Sequence, residues 1–167
     1  MSRAKTPEDQ YIQRDRMRFI KNSACANLCY LGLLFDVFYF VTIYRQDVGS
    51  YYYNIQIGAS VVYNLVFLLA VFLSSEAVKN YKKNYSIVLI VAGVMQIVRM
   101  FVIPARAHGA QTLVNGEEVA VMSDGTFTKA VVYLGISAAA ILFAAVLNYI
   151  RCTQLEAHVK SLEANKA

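Results

Sequence analysis

Six side chains in the apolar part of this chain are of types that do chemistry: Asp36, Tyr39, Ser60, Asn64, Gln96 and Arg99. An aspartate or an arginine at the centre of a membrane helix costs roughly 2.5–3.5 kcal/mol on insertion scales. A chain that keeps one of each has a use for both. Together, a carboxylate, a guanidinium, two amides and two hydroxyls could couple to a proton or an ion, or hold a small polar ligand. They could equally form an interhelical ion pair with hydrogen-bonded neighbours that fixes helix register.

Spacing groups these residues by face. Cys25, Cys29, Gly32, Asp36 and Tyr39 recur at 4, 3, 4 and 3, one side of a helix whose first half is small enough for close approach. Ala92, Gln96 and Arg99 recur at 4 and 3, and Gln56, Ser60 and Asn64 at 4 and 4. Tyr133 and Ser137 add polar groups from the last apolar segment, and Gly135, Ala138 and Ala139 add a small face there. At 1.5 Å per residue, Asp36 lies about 3 Å and Arg99 about 6 Å outward of their segment midpoints. Unlike charges at similar depth cancel much of each other's insertion cost if they pair. The spacing therefore predicts a polar cluster around Asp36 and Arg99 in the outer half of a bundle.

Four apolar segments must position these groups: residues 24–44, 55–73, 87–103 and 130–150. Each approaches the length that crosses a hydrocarbon core of about 30 Å. Hydrophobic residues make up 57% of the chain and charged ones 16%, against about 25% charged in soluble domains. The expected fold is an all-α integral membrane protein. It is an antiparallel, up-down bundle of four transmembrane helices forming a single domain over residues 1–167. Of the lysines and arginines that flank the segments, twelve lie in the lead, the second connection and the tail; Arg45, Arg106 and Lys129 lie on the other side. The positive-inside rule then puts both termini in the cytoplasm, with the plasma (inner) membrane as the expected location.

The flanks carry their own signals. Residues 1–23 read as an amphipathic cytoplasmic lead, with a helix start at Thr6-Pro7-Glu8-Asp9 and no cleaved signal peptide. The outer loop, residues 105–129, holds Asn115-Gly116 between β-prone runs and a second turn signal at Ser123-Asp124-Gly125. A small β-hairpin of two or three strands is expected there. The tail, residues 151–167, continues the last segment as a helix with Cys152, Leu155, Val159 and Leu162 along one seam. Tyrosines 44, 51, 52, 53 and 133 fall at one predicted interface and 81, 85 and 149 at the other, the depth that amphipathic rings prefer.

Composition also narrows function. The net charge of +5 flanks the apolar segments as topology requires, and no nucleic-acid-binding motif is present, so nucleic acid is not an expected partner. Three cysteines in no C-x-x-C pair, without histidine nearby, leave no expected metal site and no cofactor. His108 and His158 fall on opposite sides of the membrane, and no nucleophile–base set or phosphate loop is present, so no catalytic residues are expected and the chain reads as a non-enzyme. The expectation is a small non-catalytic membrane protein, acting as a subunit or scaffold toward a membrane protein partner or a second copy of itself. The alternative is a small oligomeric transporter or channel that uses the Asp36/Arg99 cluster.

Overall fold

The computed structural model describes residues 20–44, 51–114 and 117–164. In chain order the elements are α1 (Ser23–Tyr44), α2 (Tyr51–Lys79), α3 (Tyr85–Val102), the short α4 (Pro104–His108), β1 (Gln111–Val114), β2 (Glu117–Ala120) and α5 (Asp124–Ala164). Helices α1, α2, α3 and α5 are each long and apolar enough to cross a membrane, the architecture of a multi-pass membrane protein. The amphipathic lead through residue 19, the 45–50 connection, Asn115-Gly116 and the side chains of residues 51–57 and Leu162 lie outside the described residues.

The helices start and stop for identifiable reasons. Asn22 precedes α1, and its carbonyl accepts the first helical bond, from Ala26 N–H at 3.3 Å. Helix α2 does not stop where its apolar run stops, at residue 73. Ser74 Oγ donates to Ala70 O and Ser75 Oγ to Phe72 O, both at 2.7 Å, so these polar side chains satisfy themselves on their own helix. The helix continues to Lys79 and ends in a left-handed Tyr81 (φ 57°). Lys82 N–H returns to Ala77 O and Tyr81 N–H to Val78 O, the paired bonds of a Schellman cap. Tyrosine in place of the usual glycine makes this a strained cap. Helix α2 also begins earlier than the 55–73 segment, because Tyr51 to Asn54 are already helical.

Pro104 is buried at the first position of α4 and closes α3. Strands β1 and β2 pair antiparallel, with Gln111 opposite Ala120 and Val114 opposite Glu117. The Ser123-Asp124-Gly125 signal is not a turn into a third strand. Ser123 Oγ accepts from Thr126 N–H at 3.4 Å and Ser123 O accepts from Phe127 N–H at 2.9 Å, so Ser123 caps α5. Helix α5 thus starts six residues before the predicted segment 130–150 and runs unbroken for 41 residues.

Cross-helix bonds give the packing order. Asn22 meets Lys79 and Tyr30 meets Glu76, so α1 and α2 run in opposite directions. Asn22 meets Asn148 and Gly32 meets Ser137, so α5 runs against α1. Ser86 meets Asn148 and Gln96 meets Ser137, so α5 also runs against α3. Helix α5 lies between α1 and α3, held close at two glycines. A Cβ on Gly32 would sit 2.6 Å from Ile141 Cγ1, and one on Gly93 would sit 2.6 Å from Leu142 Cγ. The tight face of α5 is therefore Ser137, Ala138, Ile141 and Ala145 rather than Gly135, Ala138 and Ala139, since Ala139 is exposed and Gly135 half-buried. The core closes around Cys29, Phe67, Val71, Leu89, Ile141 and Ala144. The outward faces carry Leu65, Ile87, Phe101 and Phe143, all exposed. In water such a surface would associate; in a bilayer it meets acyl chains.

Candidate functional site

Each helix supplies the polar cluster from its buried face. Asp36 comes from the middle of α1 and is 0% exposed; Arg99 comes from the last turn of α3 and is 5% exposed. Arg99 Nη1 lies 2.9 Å from Asp36 Oδ1. The same nitrogen donates to Asn64 Oδ1 of α2 at 2.6 Å. Gln96, one turn before Arg99, donates its Nε2 to Asp36 Oδ1 at 2.7 Å and to Ser137 Oγ of α5 at 3.2 Å. Ser137 Oγ then donates to Gly32 O at 2.8 Å. The chain of bonds therefore runs from α2 through α3 to α1 and α5. Two charges removed from water are tolerable under these terms, with opposite charge in contact and hydrogen bonds around them.

Aromatic rings complete the arginine's surroundings. Its guanidinium carbon lies 4.5 Å from the Tyr39 ring centre and 5.0 Å from that of Tyr63. Both are within cation–π range. Tyr63 in turn stacks on Phe67, with centroids 6.2 Å apart.

Of the six residues singled out from the sequence, Asp36, Asn64, Gln96 and Arg99 share direct hydrogen bonds, and Tyr39 touches the group through its ring. Ser60 is buried but stands on the wall of a neighbouring cavity, with Tyr63 and Arg99, rather than in the bonded chain. Tyr133 is half-buried, packs its ring on Phe35 and Phe38 and lies against the cluster of Tyr39, Ala130 and Leu134. Gln56 lies outside the described side chains.

Tyr63 is the member that spacing missed. It lies three residues after Ser60, on the polar face of α2, but a tyrosine in an apolar run reads first as packing. Ser137, noted only as nearby, is the link to α5.

A second polar group, absent from the sequence expectations, ties the opposite end of the bundle. Asn148 Nδ2 donates to Ser86 Oγ at 2.8 Å and to Lys82 O at 3.3 Å, while its Oδ1 accepts from Asn22 Nδ2 at 3.0 Å. Arg151 donates to Asn22 Oδ1 at 2.8 Å, and Cys152 Sγ lies 3.3 Å from Tyr81 O. The available signal was an isolated asparagine inside the last apolar run, a residue that hydrocarbon does not accept without a partner. Just beyond, Lys83 and Glu156 pair at 3.0 Å, and that contact pushes the Lys83 ammonium above the ordinary lysine range.

All three cysteines are free thiols and buried. Among the described residues no group of three His, Cys, Asp or Glu side chains is placed to hold a metal ion. No protein family, curated protein or solved structure matches this chain.

Proposed function

We propose that this chain is a non-catalytic membrane subunit or scaffold, whose Asp36–Arg99 group sets helix register while its surfaces bind a second protein. The observation that carries the reading is the length of α5. Its 41 residues extend about 62 Å at 1.5 Å per residue, twice the roughly 30 Å of a hydrocarbon core. The end of α5 leaves the bundle with Leu155 half-buried and Val159 43% exposed on one seam. An apolar seam on a projecting helix is the pattern by which one helix recognises another. Asp36 supports the same reading, because a carboxylate with no exposed surface, bonded to Arg99 and Gln96, is poorly placed to trade protons with water.

In this reading both termini are cytoplasmic, twelve basic flanking residues against three, and the β1–β2 segment faces outward in the plasma membrane. Labelling of Glu117→Cys from outside intact cells, in a chain lacking the native cysteines, tests the orientation; protection from an impermeant reagent would reverse it. Affinity purification from native membranes tests the function. A stoichiometric partner, or a second copy, retained by the full chain and lost on Val159→Asp is the expected result. Purified chain that moves a solute across liposomes in an Asp36-dependent way would sink it.

A second reading, transport or conduction through the same group, has one observation in its favour: a cavity reaches Arg99. Asp36 does not line that cavity, which is why transport stands second.

A further inference from the structure

The cavity beside Arg99 lies where the polar interior of the bundle meets its lipid-facing surface. It has a volume of about 310 Å³ and lies between α2 and α3, lined by Ala59, Ser60, Tyr63, Val98, Arg99 and Arg106 among others. Ser60 and Arg99 are buried at its inner side, whereas Ala59, Val98 and Arg106 are exposed at its rim. Arg99 spends Nη1 on Asp36 and Asn64. Among the described residues, its Nε and Nη2, and the Tyr63 hydroxyl, are buried and have no hydrogen-bond partner. Contact with the tyrosine rings offsets charge but supplies no acceptor for these in-plane N–H groups. Buried donors left without acceptors are costly, but these three are sealed from the cavity and the unpartnered acceptors Asp36 Oδ2 and Gln96 Oε1 belong to the same group, so the polar feature the cavity presents is the exposed Arg106.

Charge narrows the occupant further. Asp36 neutralises Arg99, but among the described residues Arg106 has no acidic partner. The site therefore carries one uncompensated positive charge at its rim. Its remaining walls are apolar and open on the face that meets acyl chains. A free inorganic anion would leave that apolar wall unused. A plain hydrocarbon would leave the Arg106 charge unmet.

We infer that this cavity binds an anionic phospholipid from the surrounding bilayer. Its phosphate lies against Arg106, and its chains follow the α2–α3 groove out into the membrane. The volume is at the low end of the roughly 300–1,000 Å³ of ligand pockets, suited to a headgroup and its glycerol esters rather than to a whole lipid.

The test is native mass spectrometry of the full chain, purified in mild detergent and given phosphatidylglycerol and phosphatidylcholine in equal amounts. Wild type should retain phosphatidylglycerol about fivefold or more over phosphatidylcholine, the preference expected of one interfacial arginine. Arg106→Gln removes the charge at the exposed rim, and Ala59→Trp fills the opening without touching the Asp36–Arg99 pair; each should abolish the preference while helix content is unchanged. Lys129→Gln, which removes a basic residue outside the cavity lining, should retain it. Equal retention of the two lipids by wild type overturns the assignment. So does a preference untouched by both cavity variants, a preference lost equally in Lys129→Gln, or displacement of the lipid by inorganic phosphate alone.

Discussion

Arg99 meets Asp36 through a single contact, Nη1 to Oδ1 at 2.9 Å, and both of those atoms are shared. The oxygen also accepts from Gln96, and the nitrogen also donates to Asn64. An arginine and a carboxylate bind most strongly as a two-pronged fork. Here one prong is made and the hydrogen bonds are spread over neighbouring helices instead. One oxygen and one nitrogen thereby join α1, α2 and α3, and Gln96 passes the connection to α5 through Ser137. The group behaves as a single junction, and its members should not act additively.

Replacing either charge alone leaves the other buried and uncompensated. Asp36→Ala and Arg99→Ala are each expected to destabilise the fold by about 3–5 kcal/mol, the range for breaking a buried pair. The double replacement should recover a large part of that loss. Reversible unfolding in mixed micelles, read as a double-mutant cycle, measures the coupling; additive single effects would show that the contact contributes nothing to stability.

Close approach of α1 to α5 depends on Gly32. A methyl group there would meet Ile141 Cγ1 at 2.6 Å and Ser137 O at 3.2 Å, and the backbone oxygen cannot swing aside. Gly32→Ala should cost about 1–3 kcal/mol, as overpacking does. Gly58 on α2 has nothing within 4 Å of the same position. Gly58→Ala should be neutral or stabilise by up to about 1 kcal/mol through helix propensity. Unfolding midpoints of the two variants would separate steric from conformational effects, and equal losses would contradict the packing described.

At the other end, Asn148 makes bonds to three segments at once. Asn148→Ala strands Asn22 and the Lys82 carbonyl together, and about 1–3 kcal/mol is expected. Ser86→Ala removes one of those bonds and should cost less. The order of the two losses, from the same unfolding measurement, is the check.

Lys83 and Glu156 predict a pH effect of defined sign. The pairing holds the Lys83 ammonium above its ordinary pKa in the fold, so its contribution is complete below the ordinary lysine value. It fades as pH climbs through the raised one. Glu156→Gln should flatten that alkaline decline in a plot of unfolding midpoint against pH, and leave the neutral region little changed because both side chains are partly solvated. An unchanged alkaline slope would mean the pair is not maintained in solution.

Much of the architecture was legible in the chain because its causes are local. Long apolar runs with few charges require helices in hydrocarbon, where no other backbone form satisfies its own hydrogen bonds without closing a barrel. The period of 3.6 residues places Cys25, Cys29, Gly32, Asp36 and Tyr39 on one face, and all five are buried. The ends of the helices were less legible, for a physical reason. Ser74 and Ser75 look like the close of an apolar run, yet they bond their own preceding turn; Ser123 looks like a turn residue, yet it caps a helix.

The sequence by itself determined that an acid and a base occupy apolar helices at similar depth, where solitude is costly, and which residues share their faces. Only the tertiary structure decided that Tyr63 and Ser137 complete the group, that Ser60 stands on a cavity wall, and that Arg99 keeps two N–H-bearing nitrogens without partners among the described residues. Spacing along one helix fixes angles about that helix alone. The rotation and separation of four helices come from what each contact surface permits, above all the missing side chains at Gly32 and Gly93, and no periodicity within a single segment encodes that sum.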